Sequence, residues 1–206
     1  MTPFSAMASV RFAWQTFKKR PWFFVGVSAL MMVGSWVIGA LAGALGQDGA
    51  AALVGTVVNI ALSTLLSMGY AATMLRAHDS TESAEVSDLW HPRPFWKFLG
   101  AELSVGVVVL IGLVLLIVPG IIAILTFLFV PYIVIDKQLN PIEALKESAR
   151  ITKGARWELL LLVLLAFVLN IVGAIALLVG LFVSIPVTTL ALVHAYRTLE
   201  AKAKAA

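Results

Sequence analysis

The chain has no cysteine among its 206 residues, which excludes disulfide bridges, thiolate metal sites and a cysteine nucleophile. Charge is scarce as well. Fifteen Lys or Arg and eleven Asp or Glu make up 13% of the chain, about half the ~25% of an ordinary soluble domain. Residues 21–47, 49–75, 103–135 and 159–196 carry none of these charges. What fills the space is apolar, 61% of all residues. Composition therefore points away from a water-soluble monomer, and the expected fold class is an all-α integral membrane protein.

A helical span needs roughly 20 apolar residues at ~1.5 Å each to cross ~30 Å of hydrocarbon. Each of the first two runs fits one crossing. The third and fourth are too long for one crossing and must fold back. Pro119 and Gly120 mark the expected turn in the third, because Pro lacks an amide donor and biases Val118 away from helix while Gly accepts turn dihedrals. Gly180 marks the turn in the fourth. Six transmembrane helices follow, at about 22–45, 50–75, 98–118, 121–135, 157–178 and 182–196, paired as three hairpins over 22–75, 98–135 and 157–196. The fourth and sixth contain Pro131 and Pro186, which act as candidate helix breaks.

Charge location sets the expected orientation. With six crossings, residues 1–21, 76–97, 136–156 and 197–206 share one side and hold every Lys and Arg. The turns on the other side carry only Asp48. The positive-inside rule then places both termini in the cytoplasm. The apolar run after Lys18-Lys19-Arg20 exceeds the ~7–15 residues of a signal-peptide core, so it reads as a retained anchor. Each hairpin is entered through basic and aromatic residues: Lys18, Lys19, Arg20 and Trp22; Arg93, Phe95, Trp96 and Lys97; and Lys153, Arg156 and Trp157. Such residues favour the headgroup region. Convergent anchoring explains this rhythm as well as internal duplication does.

Residues 140–154 form the clearest local element. Asn140 caps, Pro141 suits the first helical position, Glu143 completes a capping box and Gly154 ends the helix. At ~100° per residue, Lys146, Arg150, Lys153, Glu143 and Glu147 share one arc. Ala144, Leu145, Ser148, Ala149, Ile151 and Thr152 share the other. This pattern suits a cytoplasmic amphipathic helix at the membrane interface, either packing on the bundle or recognising anionic headgroups or a protein. A second amphipathic segment lies upstream, with Met7, Val10, Trp14 and Phe17 expected on its apolar face. The basic residues Lys18, Lys19, Arg20, Arg76, Arg93, Lys97, Lys146, Arg150, Lys153 and Arg156 are candidate contacts for lipid headgroups or a partner. Each suitably placed cation contributes ~1 kcal/mol of attraction to anionic lipid.

The positions Pro119-Gly120, Pro131 and Asn140-Pro141-Ile142-Glu143-Ala144-Leu145 with Ser148, followed by Thr152-Lys153-Gly154, carry a resemblance. In this pattern the chain resembles the glycerophosphoryl diester phosphodiesterase membrane domain family, which includes YciC-like bacterial inner-membrane proteins. The resemblance covers roughly residues 86–156 and implies a bacterial cytoplasmic-membrane protein. The catalytic phosphodiesterase domain that names the family has no counterpart in this sequence, so hydrolase activity does not follow.

Ionisable groups held in the hydrocarbon centre mark proton relays, ion paths or active sites. None is expected there, since Glu102, Asp136 and Glu158 fall near span ends. Asn59 and Asn170 are the deepest strongly polar side chains, suited to inter-helix hydrogen bonds or to a solute site. Gly39 and Gly43 form a GxxxG spacing expected to serve internal packing, with homo-oligomerisation as the alternative. His78, Asp79, Glu82, Glu85, Asp88 and His91 could ligate a metal, but their spacing matches no known motif, and a solvated acidic loop is expected. Neither a phosphate-binding glycine loop nor a nucleic-acid module is found. No cofactor is expected. The function expected is that of a noncatalytic module that organises, anchors or regulates an envelope partner in contact with lipid. A small-solute permease is the alternative.

Overall fold

The computed structural model describes residues 4–46, 48–90, 94–176 and 179–205. Among them the chain forms nine α-helices and one short 3-10 turn, with no strand. The helices are α1 (Ala6–Lys19), α2 (Pro21–Ala44), α3 (Gly49–Asp79), α4 (Phe95–Leu115), α5 (Ile117–Phe127), α6 (Val130–Lys137), α7 (Pro141–Thr152), α8 (Arg156–Ile175) and α9 (Leu181–Lys204). The 3-10 turn spans Val86–Leu89. Five stretches are long and apolar enough to cross a membrane: α2, α3, α4, α5 continued by α6, and α8. In α2, α3, α4 and α8 at most 17% of the apolar stretch is buried. So much contiguous exposed apolar surface is compatible with a multi-pass membrane protein.

The core sits toward one end of the helices. Phe24, Met68, Met74, Phe98, Phe129, Ile133, Leu159, Leu190 and Tyr196 are fully buried there. α2 packs on α3, α4 on α5, α8 on α9, and α9 also receives α1, α2 and α3.

Two expected boundaries move. The turn between α4 and α5 lies at Leu116, whose extended backbone (φ −168°, ψ 151°) separates the helices, and not at Pro119-Gly120. Pro119 instead occupies the first turn of α5, where an amide donor has no intrahelical acceptor and its absence is harmless. Gly120 serves close packing: a Cβ there would meet the Leu113 side chain at 2.3 Å, and one on Gly112 would meet the Gly120 Cα at 3.0 Å. The expected fourth helix is in fact two, broken at Leu128–Phe129, with Pro131 at the start of α6. α9 runs past Tyr196 to Lys204 because charge alone does not stop a helix. Ion pairs three and four residues apart, Arg197–Glu200 and Lys204–Glu200, support the extra turns.

Candidate functional site

Four segments distant in sequence converge at one end, and side-chain bonds join them. Arg20, between α1 and α2, donates to the Thr81, Glu82 and Ala84 carbonyls at 2.9, 3.2 and 2.8 Å, and its guanidinium lies over the Phe23 ring. Arg76 pairs with Asp88. Lys97 donates to the Gln138 carbonyl at 2.6 Å, linking the start of α4 to the end of α6. The Ala6 amide donates to Glu158 at 3.1 Å, tying α1 to α8.

Arg197 of α9 is the hub. Its Nε and Nη2 grip both Asp79 oxygens at 3.1 and 2.6 Å, and its Nη1 reaches Asp136 Oδ2 at 2.7 Å. The Tyr196 hydroxyl donates to the same Asp136 oxygen at 2.8 Å. One guanidinium thus holds α3, α6 and α9 together. A second centre lies beside it, where Lys137 meets Glu147 at 2.7 Å and Glu200 at 2.9 Å. Arg150 adds a two-pronged bond to Glu147 and donates to the Ala203 carbonyl at 3.0 Å. Hydrogen bonds from Arg150, then Lys137, push the Glu147 carboxyl down to about 2. Burial alone would raise Glu200, but the bonds from Lys204 and Lys137 outweigh it and leave its pKa below the ordinary value. The Glu147 bonds raise Arg150 despite partial burial.

α7 forms as the sequence suggests. Glu143 accepts the Asn140 amide at 3.1 Å, half of a capping box, and Gly154 follows with a positive φ of 82°. Its Ala144, Ser148, Ile151 and Thr152 are buried. Ser148 donates to the Thr126 carbonyl at 2.7 Å, just before the α5–α6 break, and the Thr152 hydroxyl, which donates to the Ser148 carbonyl at 2.8 Å, lies 3.3 Å from the same Thr126 oxygen. The break leaves carbonyls without helical donors, and α7 supplies the Ser148 hydroxyl for one of them, with Thr152 within reach of it. Leu145 is half-buried and packs against the core.

The ten candidate cations divide. Arg20, Arg76, Lys97 and Arg150 are engaged by the protein itself and serve as internal braces. Lys18, Lys19, Lys146, Lys153 and Arg156 are exposed. Arg93 lies outside the described residues, as does His91. Exposed aromatics accompany the free cations: Trp22, Trp96 and Trp157 are 85%, 79% and 84% exposed.

Of the other expected roles, the apolar face of α1 at Met7 and Trp14 and the close packing at Gly39 and Gly43 fail, while Asn170 makes the inter-helix bonds expected of it. α1 turns Ala6, Ser9, Ala13, Thr16 and Phe17 inward, whereas Met7 and Trp14 are exposed. Small side chains let α1 approach α9 closely, so bulk faces outward. Gly39 and Gly43 are exposed and a Cβ on either would touch nothing within 4 Å; the tight α2–α3 approach is at Gly55, where a Cβ would meet the Ala42 carbonyl at 2.7 Å. Asn170 pairs with α9, accepting from Ser184 at 2.8 Å and donating to Thr188 at 3.4 Å. Asn59 is elsewhere, half-buried in a shallow groove with Gly43 and Thr56.

The sequence reading missed the Arg197 hub and the pair His78–His194, whose Nε2 and Nδ1 lie 3.1 Å apart under the Phe12 ring. Arg197 lay past the last apolar run, and its i+3 acid Glu200 was the one local sign of a structured tail. Among the described residues no three His, Asp or Glu side chains group as metal ligands. Asp79, at the end of α3, and Asp88, in the 3-10 turn, are bound to Arg197 and Arg76.

The fold defines a multi-helix protein whose apolar helices are built to cross a membrane, with its polar bonds gathered at one end. Within that class, residues 95–202, more than half of the chain, match the profile described as a domain of unknown function, DUF7847, and the chain belongs to that family. The matched region contains the α5–α6 break, α7, and Asp136, Lys137 and Arg197. Comparison with curated proteins and with solved structures finds no match to either.

Proposed function

We propose that the chain is a noncatalytic polytopic membrane module that organises, anchors or regulates an envelope partner at the cytoplasmic face of a bacterial inner membrane. The observation that carries this reading is the braced polar end. Arg20, Arg76, Lys97, Arg150 and Arg197 are spent on holding four segments in one rigid surface, while Lys18, Lys19, Lys146, Lys153 and Arg156 remain outward beside exposed tryptophans. A rigid rim of that composition suits anionic headgroups and an acidic partner surface. Six crossings in three hairpins accord with the pairing of α8 with α9, whose apolar half ends at Tyr196. They also keep every Lys and Arg on the cytoplasmic side. The likeness to the phosphodiesterase membrane domain family supports the bacterial inner membrane and rests on the residue pattern around Pro131 and Asn140–Ser148.

Single cysteines in place of Asp48, Ser87, Lys146 and Ala205 test the topology with an impermeant thiol reagent on intact cells. Labelling at position 48 alone is expected. Lys146 is the right reporter on α7, since Ser148 is fully buried. Labelling of position 146 or 205 from outside overturns the arrangement. For the partner, in-cell cross-linking from position 146 is expected to capture a recurrent membrane protein, reduced by charge reversal at Lys153 and Arg156. Capture that charge reversal leaves unchanged contradicts the role of the rim.

One feature favours the permease-like alternative: Glu102, half-buried, lines a groove of about 420 Å³ beside Phe127, Leu128 and Pro131 at the α5–α6 break. Broken helices commonly line transport sites. Uptake of small cations into proteoliposomes, abolished by Glu102→Gln, would decide for it.

A further inference from the structure

Glu102 on α4 is a half-buried carboxylate without a fixed partner among the described residues. The other acids that reach the bundle are held. Asp79 and Asp136 are bound by Arg197, Asp88 by Arg76, Glu147 and Glu200 by Lys137, and Glu158 by the Ala6 amide. Lys97, five residues before Glu102, is committed to the Gln138 carbonyl at 2.6 Å. A charge in apolar surroundings is costly unless something pairs with it.

The position of this carboxylate follows from the packing of α4 on α5. The two helices run antiparallel from their turn at Leu116, and the close approach of Gly112 to Gly120 sets their register. Ten residues outward from that contact on each strand of the hairpin, Glu102 comes level with Val130, at the α5–α6 break. A groove of about 420 Å³ opens there, within the ~300–1,000 Å³ of small-ligand sites. Val105, Gly106 and Val109 form one wall, and Ile124, Phe127 and Leu128 the other. Spacings of three and four residues put each set on one helix face.

Negative potential gathers at one end of this groove. Glu102 supplies a full charge, and α5 ends at Phe127, so its C-terminal dipole adds to it. Pro131 has no N–H to offer the Phe127 carbonyl four residues back. Toward Val109, seven residues or about 10 Å further along α4, no other charged side chain lines the groove. A matching ligand is cationic at one end and aliphatic along the rest. Lipids that carry a phosphate bring like charge to the carboxylate and are disfavoured.

We propose that this groove binds a single-chain cationic amphiphile of the alkylammonium class, its ammonium paired with Glu102 and its chain lying between the α4 and α5 walls. The bilayer solvates the same chain, so the carboxylate carries the selectivity. The site shares its groove with the permease-like alternative but requires no passage across the membrane. Binding without uptake rejects that alternative alone, and uptake of small cations without binding of the amphiphile rejects this inference alone.

The test uses the full chain reconstituted in phosphatidylcholine nanodiscs with a dodecylammonium bearing a photoactivatable diazirine in its chain. Cross-links are expected to concentrate on the peptides containing Val105 to Val109 and Ile124 to Leu128, and unlabelled dodecylammonium should compete them away. The same chain ending in a hydroxyl or a sulfate should label the lipid-facing helices without that focus. Glu102→Gln removes the charge at nearly constant shape and should reduce the focused labelling by about fivefold or more, the scale of one ion pair. Gly106→Leu keeps the carboxylate and fills the groove; a Cβ there meets nothing within 4 Å, so the helix packing tolerates it, and labelling should fall again. Melting temperatures matching the native protein establish that both variants are folded. Equal labelling by the ammonium and the alcohol, or labelling indifferent to both substitutions, overturns the proposal.

Discussion

Replacing Arg197 by Met tests whether the polar end is held by specific ion pairs or merely decorated with charge. Two limits bound the effect. Exposed pairs are worth ~0.2–1 kcal/mol, while breaking a buried pair costs ~3–5 kcal/mol because the partner charge is stranded. The Arg197 and Asp136 side chains are 23% and 22% exposed, and Asp79 is 50% exposed. The Asp136 pair therefore lies nearer the buried limit and the Asp79 pair nearer the exposed one. A loss of about 2 kcal/mol is expected for Arg197→Met. Asp136→Asn removes the charge but keeps an acceptor for the Tyr196 hydroxyl, so the double variant should recover part of the loss. A coupling energy of about 1–2 kcal/mol is expected from the four-variant cycle. Unfolding in mixed detergent–dodecyl sulfate micelles, followed by tryptophan fluorescence, measures it. A coupling below about 0.3 kcal/mol, at the level of an ordinary surface pair, would refute the claim that this guanidinium joins α3, α6 and α9.

Acid should loosen the same end through Glu147 and Glu200. Both carboxyls have depressed folded-state pKa values, so their contribution is present above the ordinary value of 4.5 and declines as pH falls from there toward about 2 for Glu147. Melting temperatures measured across that window should fall for the native protein and fall less for Glu147→Gln; a flat native profile contradicts the assignment. Ser148→Ala should have a small effect because the Thr152 hydroxyl, 3.3 Å from the Thr126 carbonyl, turns to it from the Ser148 carbonyl, and Thr152→Val should have a small effect because it leaves the Ser148 donor in place. Together they strand it and cost about 1–3 kcal/mol, so strict additivity in the same unfolding assay would show that the two do not share an acceptor. Gly69→Ala places a Cβ 1.8 Å from the Leu89 carbonyl and must push the Val86–Leu89 turn off α3. Faster proteolysis between residues 80 and 90 is the expected readout, and unchanged cleavage counts against the docked turn.

Much of this was legible in one dimension because the bilayer is a simple solvent. Charge-free runs predicted α2, α3, α4 and α8 to within a few residues, and the Asn140, Pro141 and Glu143 signals located α7. Capping is a local bond between residues three apart, so sequence contains it whole. The Pro119-Gly120 reading failed for a local reason of its own: proline is as acceptable in the first turn of a helix as between helices, and only packing at Gly112 and Gly120 chose between them. Charge was equally ambiguous at Tyr196, where the end of the apolar run was not the end of the helix.

Which cations face outward and which are used internally was not written in the chain. Lys18 and Arg20 are near neighbours of similar charge, yet one is exposed and the other is bound to three carbonyls some sixty residues away. The same holds for Arg197 and Asn170, whose partners depend on helices meeting in space. Sequence determined that this protein carries helices long and apolar enough to cross a membrane, because transfer free energy sums over residues regardless of their order in the fold. The tertiary structure alone decided which polar groups are satisfied, because hydrogen bonds are pairwise and depend on distance.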